Sequence, residues 1–97
     1  MIDLDLTGRK AIVTGASLGI GAATVRLLAD HGASVAFCAR GQDAVDDLAS
    51  HSDNIRGYVA DMSDADSTNR FLQRATDDIG DADILVNNVG ASPSRNF

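Results

Sequence analysis

Short apolar stretches alternate with longer amphipathic stretches along this chain. The apolar stretches have the length of β-strands, and several lack polar alternation, which is typical of strands covered on both faces. The amphipathic stretches between them are about as long as one helix each. The pattern therefore predicts four strands separated by three helices. The predicted strands are residues 10–14, 33–39, 55–60 and 83–87.

Helical spacing of apolar residues predicts an inward face for each helix. In the first helix, which ends near His31, this stripe is Ile20, Ala23, Leu27 and Leu28. In the second, over 42–51, it is Val45, Leu48 and Ala49; in the third it is Ala65, Thr68, Leu72, Ala75 and Ile79. Gly32 and Gly80 are predicted to end the first and third helices, and Ser63 to cap the start of the third.

The order strand, helix, strand throughout indicates an α/β fold with a parallel sheet and helices on both faces. Each crossover between parallel strands must be right-handed and about as long as a helix. The chain has 97 residues, without repeats or a composition shift that would mark a second domain. We therefore predict that residues 1–97 belong to one domain.

A glycine-rich turn, residues 14–21, joins the first strand to the first helix with the pattern T-G-x-x-x-G-x-G. Glycines let a backbone turn sharply and approach a ligand closely, and the free amides of a helix start favour phosphate. A plain structural turn is the alternative for these residues taken alone.

Three further features follow the other predicted strands. They are Ala39-Arg40, Asp61-Met62 and Asn87-Asn88-Val89-Gly90. Because open α/β sheets bind ligands at the carboxyl ends of their strands, we expect these features and the glycine turn to border one cleft.

The glycine turn, an Asp after the third strand and an N-N-x-G turn after the fourth resemble the short-chain dehydrogenase/reductase family, and the chain is similar to 3-oxoacyl-carrier-protein reductases. The resemblance implies a Rossmann-like, doubly wound parallel sheet, incomplete here, with its first four strands and three crossover helices. It also implies a nicotinamide dinucleotide site, and it assigns Thr14 to linking the first strand to the Asn87 region. The implied cofactor-binding residues are Gly15, Ser17, Leu18, Gly19, Ile20, Gly21, Arg40, Asp61, Met62, Asn88, Val89 and Gly90.

Arg40 favours NADP(H) over NAD(H) as the cofactor. An acidic residue at the end of the second strand would accept hydrogen bonds from ribose hydroxyls but repel a 2′-phosphate, whereas a guanidinium pairs with it. A solvated surface arginine is the alternative. One departure from many NADP-binding relatives is Leu18, which stands where they carry a second basic residue.

Composition excludes several other functions. The formal net charge is −6, which argues against nonspecific nucleic-acid binding. The longest apolar runs are too short to span a membrane, and the acidic start does not resemble a secretory signal, so we expect a cytoplasmic protein. Cys38 is the one cysteine and is expected to be buried and inert; His31 and His51 are expected at the surface.

No catalytic or metal-binding set is predicted. The family resemblance implies a catalytic Ser and a Tyr-x-x-x-Lys pair, but Tyr58 is followed four residues later by Met62, and Lys10 lies at the start of the first strand. We therefore expect the N-terminal part of a longer reductase, inactive alone, whose parent transfers hydride between nicotinamide and a carbonyl or alcohol and forms a homo-oligomer. A noncatalytic dinucleotide-binding or fragment-complementation module is the alternative, and a methyltransferase a more distant one.

Overall fold

The computed structural model describes residues 4–16 and 19–88 of the chain. Their four strands form one parallel sheet in the order β3-β2-β1-β4. The α/β, Rossmann-like, doubly wound fold is confirmed. Its elements are β1 (Lys10–Thr14), α1 (Gly19–Asp30), β2 (Ser34–Ala39), α2 (Gln42–Ala49), β3 (Ile55–Val59), α3 (Ala65–Ile79) and β4 (Ile84–Asn87).

The two faces of the sheet carry separate apolar cores. On one face, alternate strand residues such as Val13 and Phe37 pack against α1 and α2. On the other face, Ile12, Cys38 and Tyr58 pack against α3. Because consecutive strand side chains point to opposite faces, strands without polar alternation supply both cores at once.

Three of the four residues predicted to face inward on α1 are exposed, whereas the fourth, Leu28, is partly buried and packs against the core. Ile20 is 78% exposed and Leu27 53% exposed, and Ala23 is exposed as well. The buried residues of α1 are instead Gly21, Ala22, Val25 and Ala29. Three of these four residues are Gly or Ala, and such small residues let a helix backbone lie close to a sheet. Apolar residues occur on more than one side of α1, so periodicity alone did not identify the buried face.

The start of α3 differs from the prediction in one residue. The N-cap is Asp64, whose Oδ1 accepts a hydrogen bond from the Asp66 amide at 3.0 Å, and not Ser63. Ser63 instead donates both its amide and its hydroxyl to the Asp61 carboxylate. Asp at N-cap stabilises a helix as Ser does, so sequence preference alone did not separate them. The predicted helix ends hold: Gly32 and Gly80 have φ of 102° and 91°.

Tyr58 is buried where β3 packs on α3. Its ring meets the Phe71 ring edge-on at 5.6 Å, and the Arg74 guanidinium lies 5.0 Å from its centroid. Its hydroxyl donates a hydrogen bond to the Asp78 carboxylate. Burial, and after it the hydrogen bond to Asp78 and the negative charge there, raise the pKa of Tyr58 to about 12.

We expect a single, late tyrosine titration in the folded chain. The folded-state pKa lies above the unfolded value of about 10, so this proton stabilises the fold below that pH, and the stabilisation is lost as the pH rises toward 12. The chain has one tyrosine and no tryptophan, so tyrosinate absorbance reports Tyr58 alone. Asp78→Asn should lower the midpoint, whereas Asp77→Asn should leave it unchanged. A midpoint of about 10, with circular dichroism showing a folded chain, would contradict this prediction.

Candidate functional site

The carboxyl ends of all four strands meet at one edge of the sheet, as the sequence predicted. The parallel register places Thr14 beside Asn87, Val13 beside Phe37, and Ala39 beside Val59. The glycine turn, Arg40, Asp61 and Asn88 each follow one of these strand ends. We call this the ligand edge of the sheet.

Thr14 and the residues at the end of β4 hold the glycine turn against the sheet. The Thr14 hydroxyl donates to Asn87 Oδ1 at 3.0 Å and accepts from the Asn88 amide at 3.1 Å. The Asn88 side-chain amide donates to the Gly15 carbonyl at 3.3 Å. The predicted structural link between Thr14 and the Asn87 region is therefore present. The link from Asn88 to Gly15 joins two site residues that are far apart in sequence.

A second anchor comes from β2. The Ala16 amide donates to the Cys38 carbonyl at 3.0 Å. Cys38 itself is fully buried, and this burial raises the pKa of its thiol. A thiol of this kind is not a nucleophile at neutral pH, in agreement with the expected inert role. The turn is thus held from the strands on both sides of β1.

Gly21 and Gly19 have opposite surroundings. A Cβ on Gly21 would lie 2.5 Å from Asn88 Nδ2, 2.9 Å from Ala16 Cα and 2.9 Å from the Gly15 carbonyl oxygen. A Cβ on Gly19 would have no heavy atom of residues 4–16 or 19–88 within 4 Å, although its φ of 61° favours glycine. Among the described residues, the turn is therefore closed at Gly21, on the side of the sheet, and open at Gly19, at the start of α1.

The open side suits an anionic group. The first amides of α1 have no partner within the helix and form its positive end. The first turn of α1 carries no acidic side chain in the described part of the chain. These features fit a phosphate of a dinucleotide, which approaches backbone amides most closely where side chains are absent. Gly15, Gly19, Ile20 and Gly21 are the described residues that would hold it.

Arg40 and Asp61 add opposite charges to the ligand edge. Arg40 is exposed after β2, and Asp61 is half-buried after β3. The Asp61 Oδ1 atom accepts from the Ser63 amide at 2.9 Å and the Ser63 hydroxyl at 2.7 Å. These hydrogen bonds, and after them the positive charge of Arg40, lower the pKa of Asp61. Asp61 is therefore ionised at neutral pH.

Comparison with known proteins identifies the family. The family model for short chain dehydrogenases matches residues 9–97. The chain belongs to the short-chain dehydrogenase family. It is 37% identical over 96 residues to L-xylulose reductase of Cavia porcellus, and 39% identical over 88 residues to the 3-oxoacyl-[acyl-carrier-protein] reductase FabG of Vibrio cholerae. These alignments cover 99% and 90% of this chain, but 38% and 36% of the relatives.

Solved structures of this family have the same fold. A short-chain dehydrogenase/reductase mutant (F98Y/F202Y) of Serratia marcescens superposes with a TM-score of 0.84 at 38% identity, over 90% of this chain and 38% of that one. The 3-ketoacyl-(acyl-carrier-protein) reductase of Brucella melitensis was solved in complex with NADH. It superposes with a TM-score of 0.79 at 28% identity, over 84% of this chain and 34% of that one. The chain thus spans just over a third of the length of these family members.

Tyr58 and Lys10 do not lie together as a tyrosine–lysine catalytic pair would. Tyr58 donates to Asp78 on α3, and its pKa is raised, whereas a catalytic acid works best with a pKa near the operating pH. Lys10 lies at the opposite edge of the sheet, where a Cβ on Gly80 would meet its Nζ at 2.7 Å. His51 is also distant from the ligand edge, with its Nε2 2.8 Å from Asp30 Oδ1.

Two further properties bear on the type of site. The described side chains do not bring three His, Cys, Asp or Glu residues together as a metal site requires. Within the same residues, no helix has both the length and the apolar character needed to cross a membrane.

The predicted cofactor-binding residues differ in what surrounds them. Ser17, Leu18, Val89 and Gly90 lie outside the described residues. Met62 is half-buried beside the start of α3, where the Thr68 hydroxyl lies 3.7 Å from its sulfur. The Asp61 carboxylate accepts hydrogen bonds from Ser63, two residues further on, which is a local pattern. The Asn88 side chain donates to the Gly15 carbonyl, and local sequence patterns could not indicate this distant partner. Contacts of these residues with a cofactor stay a prediction.

Proposed function

We propose that this chain is the N-terminal, cofactor-binding portion of an NADP(H)-dependent oxidoreductase acting on a carbonyl/alcohol pair. The observation that carries the proposal is the ligand edge itself. It combines a glycine turn that leaves Gly19 open among the described residues, at a helix start, with an exposed arginine after the neighbouring strand. Nicotinamide, when bound, would supply the hydride chemistry. The residues of this chain would bind and orient the dinucleotide.

Membership of the short-chain dehydrogenase family supports the reaction class. The L-xylulose and 3-oxoacyl relatives are reductases, and the Brucella melitensis reductase was solved with NADH. This chain spans 38% of its L-xylulose reductase relative, which supports a dinucleotide-binding domain that continues beyond these residues in the parent protein. A homo-oligomeric parent and a cytoplasmic location are further predictions of the proposal. Alone, the chain is expected to bind cofactor without turning over a ketone.

The preference for NADP(H) depends on Arg40. Its guanidinium makes no ion pair with any residue in the described part of the chain, so it is available to a ligand at this edge. A 2′-phosphate would form charge-assisted, forked hydrogen bonds with it. Such a bond contributes about 1.5–3 kcal/mol, which corresponds to roughly 10- to 100-fold in affinity.

Arg40→Ala therefore tests the proposal. We expect the Kd for NADPH to rise about 10- to 100-fold while the Kd for NADH changes little. Fluorescence titration with each reduced cofactor measures both constants. Arg9→Ala is the matched control, because Arg9 is an exposed arginine at the opposite edge of the sheet. An equal loss of affinity for both cofactors, or none for either, would argue against NADP(H) specificity.

A further inference from the structure

Arg40 and Asp61 leave the sheet from neighbouring strands at the same corner of the ligand edge. Ala39 is in register with Val59, and the Ala60 amide continues the pairing with a 3.0 Å hydrogen bond to the Ala39 carbonyl. Arg40 and Asp61 are the next residues on the two strands. The strand register therefore places two side chains of opposite charge at one corner of the ligand edge.

The Asp61 carboxylate has a fixed position in this corner. Its Oδ1 accepts the two hydrogen bonds from Ser63, and the Asp61 amide is bonded to the Ser67 hydroxyl at 2.9 Å. Within residues 4–16 and 19–88, the Asp61 carboxylate forms no ion pair with Arg40. Asp61 thus does not hold the guanidinium in place. Its charge adds a negative potential where Arg40 supplies a positive one.

We propose that Asp61 is a specificity-determining residue, whose fixed negative charge opposes a 2′-phosphate beside Arg40 and so limits the preference for NADP(H) over NAD(H). This inference rests on the proposed function. NADP(H) and NAD(H) share their adenine, ribose and pyrophosphate groups, and differ in the 2′-phosphate. A contact between Asp61 and the shared groups would alter both affinities equally, whereas a charge effect alters their ratio.

Asp61→Asn separates charge from structure. The asparagine Oδ1 can still accept the hydrogen bonds from Ser63, and Asn forms the same type of turn as Asp. We expect the ratio of the NADH Kd to the NADPH Kd to rise roughly two- to fivefold at low ionic strength. The increase should shrink in about 0.5 M salt, which screens charges at exposed sites. Fluorescence titration measures both cofactors under the same conditions.

Asp53→Asn is the matched control. Asp53 is exposed just before β3, at the opposite edge of the sheet, and its replacement changes the net charge by the same amount. It should leave the ratio unchanged. If Asp61→Asn does not fold by circular dichroism, Asp61→Ser takes its place, since Ser also forms such turns without a charge.

Several outcomes would overturn the inference. If Asp61→Asn changes the Kd values for NADH and NADPH by the same factor, Asp61 acts on groups that the two cofactors share. A fall in the ratio would mean that Asp61 holds Arg40 in its binding position, and an unchanged ratio would mean that its charge is not felt. Arg40→Ala, titrated in parallel, distinguishes the two proposals. If Arg40→Ala lowers the ratio of the NADH Kd to the NADPH Kd but Asp61→Asn leaves it unchanged, only the role of Asp61 is overturned. If Arg40→Ala does not alter this ratio, the NADP(H) assignment is overturned.

Discussion

Gly21→Ala should destabilise the chain and abolish dinucleotide binding. The new methyl would lie 2.9 Å from both Ala16 Cα and the Gly15 carbonyl oxygen, and these backbone atoms cannot move without opening the glycine turn. Alanine ordinarily stabilises a helix interior relative to glycine by about 1 kcal/mol, so any net loss reflects the clash. Overpacking of this kind costs about 1–3 kcal/mol. Urea unfolding followed by circular dichroism measures the stability, and NADPH titration measures binding.

Two variants sharpen this test. In the described part of the chain, a Cβ on Gly41 would meet no heavy atom within 4 Å. Gly41→Ala therefore controls for the glycine-to-alanine change itself, and it should lower the free energy of unfolding by no more than about 1 kcal/mol. Asn88→Ala removes the side chain that a Cβ on Gly21 would meet at 2.5 Å, but leaves the backbone contacts. It should therefore not rescue Gly21→Ala. Wild-type affinity in Gly21→Ala would show that the turn tolerates a side chain there.

Phe37→Ala should cost even more stability than Gly21→Ala. Phe37 is fully buried in the core between the sheet and helices α1 and α2. Replacing a buried Phe with Ala typically costs about 3–5 kcal/mol, a large part of the roughly 5–15 kcal/mol by which a domain is stable. We expect the urea midpoint to fall sharply or the cooperative transition to disappear. Leu27→Ala, at a half-exposed position of α1, should stay within about 0.5 kcal/mol.

Gly57 provides an internal check on this cavity. A Cβ on Gly57 would lie 2.8 Å from the Phe37 ring and 2.7 Å from the Val45 side chain. Gly57→Ala should therefore destabilise the wild type but partly restore Phe37→Ala, because the methyl then enters the vacated space. Such coupling is expected between residues in contact. Additive losses in the double variant, or a loss below about 1 kcal/mol in Phe37→Ala alone, would contradict this packing of the core.

The ligand edge follows from local sequence signals together with one topological rule. The glycine turn, the helix-ending Gly32 and Gly80, and the alternation of strands with helices are properties of short segments. Parallel pairing then brings all the carboxyl ends to one edge, because each crossover returns the chain in the same direction. The sequence therefore predicted which residues share the edge, including Arg40 and Asp61.

Which face of α1 is buried, and which partners the site residues have, depends on tertiary packing. α1 is apolar on several sides, and the glycine turn, anchored by Asn88 and by the Cys38 carbonyl, selects the face carrying Ala22 and Val25. Asn88 and Cys38 lie more than 20 residues from the glycine-turn residues that they contact, and these contacts depend on how the strands pack together. Local sequence patterns were enough to predict the elements, their order and the edge at which we propose that a ligand binds. The contacts that shape this edge depend on which strands become neighbours, which local propensity does not encode.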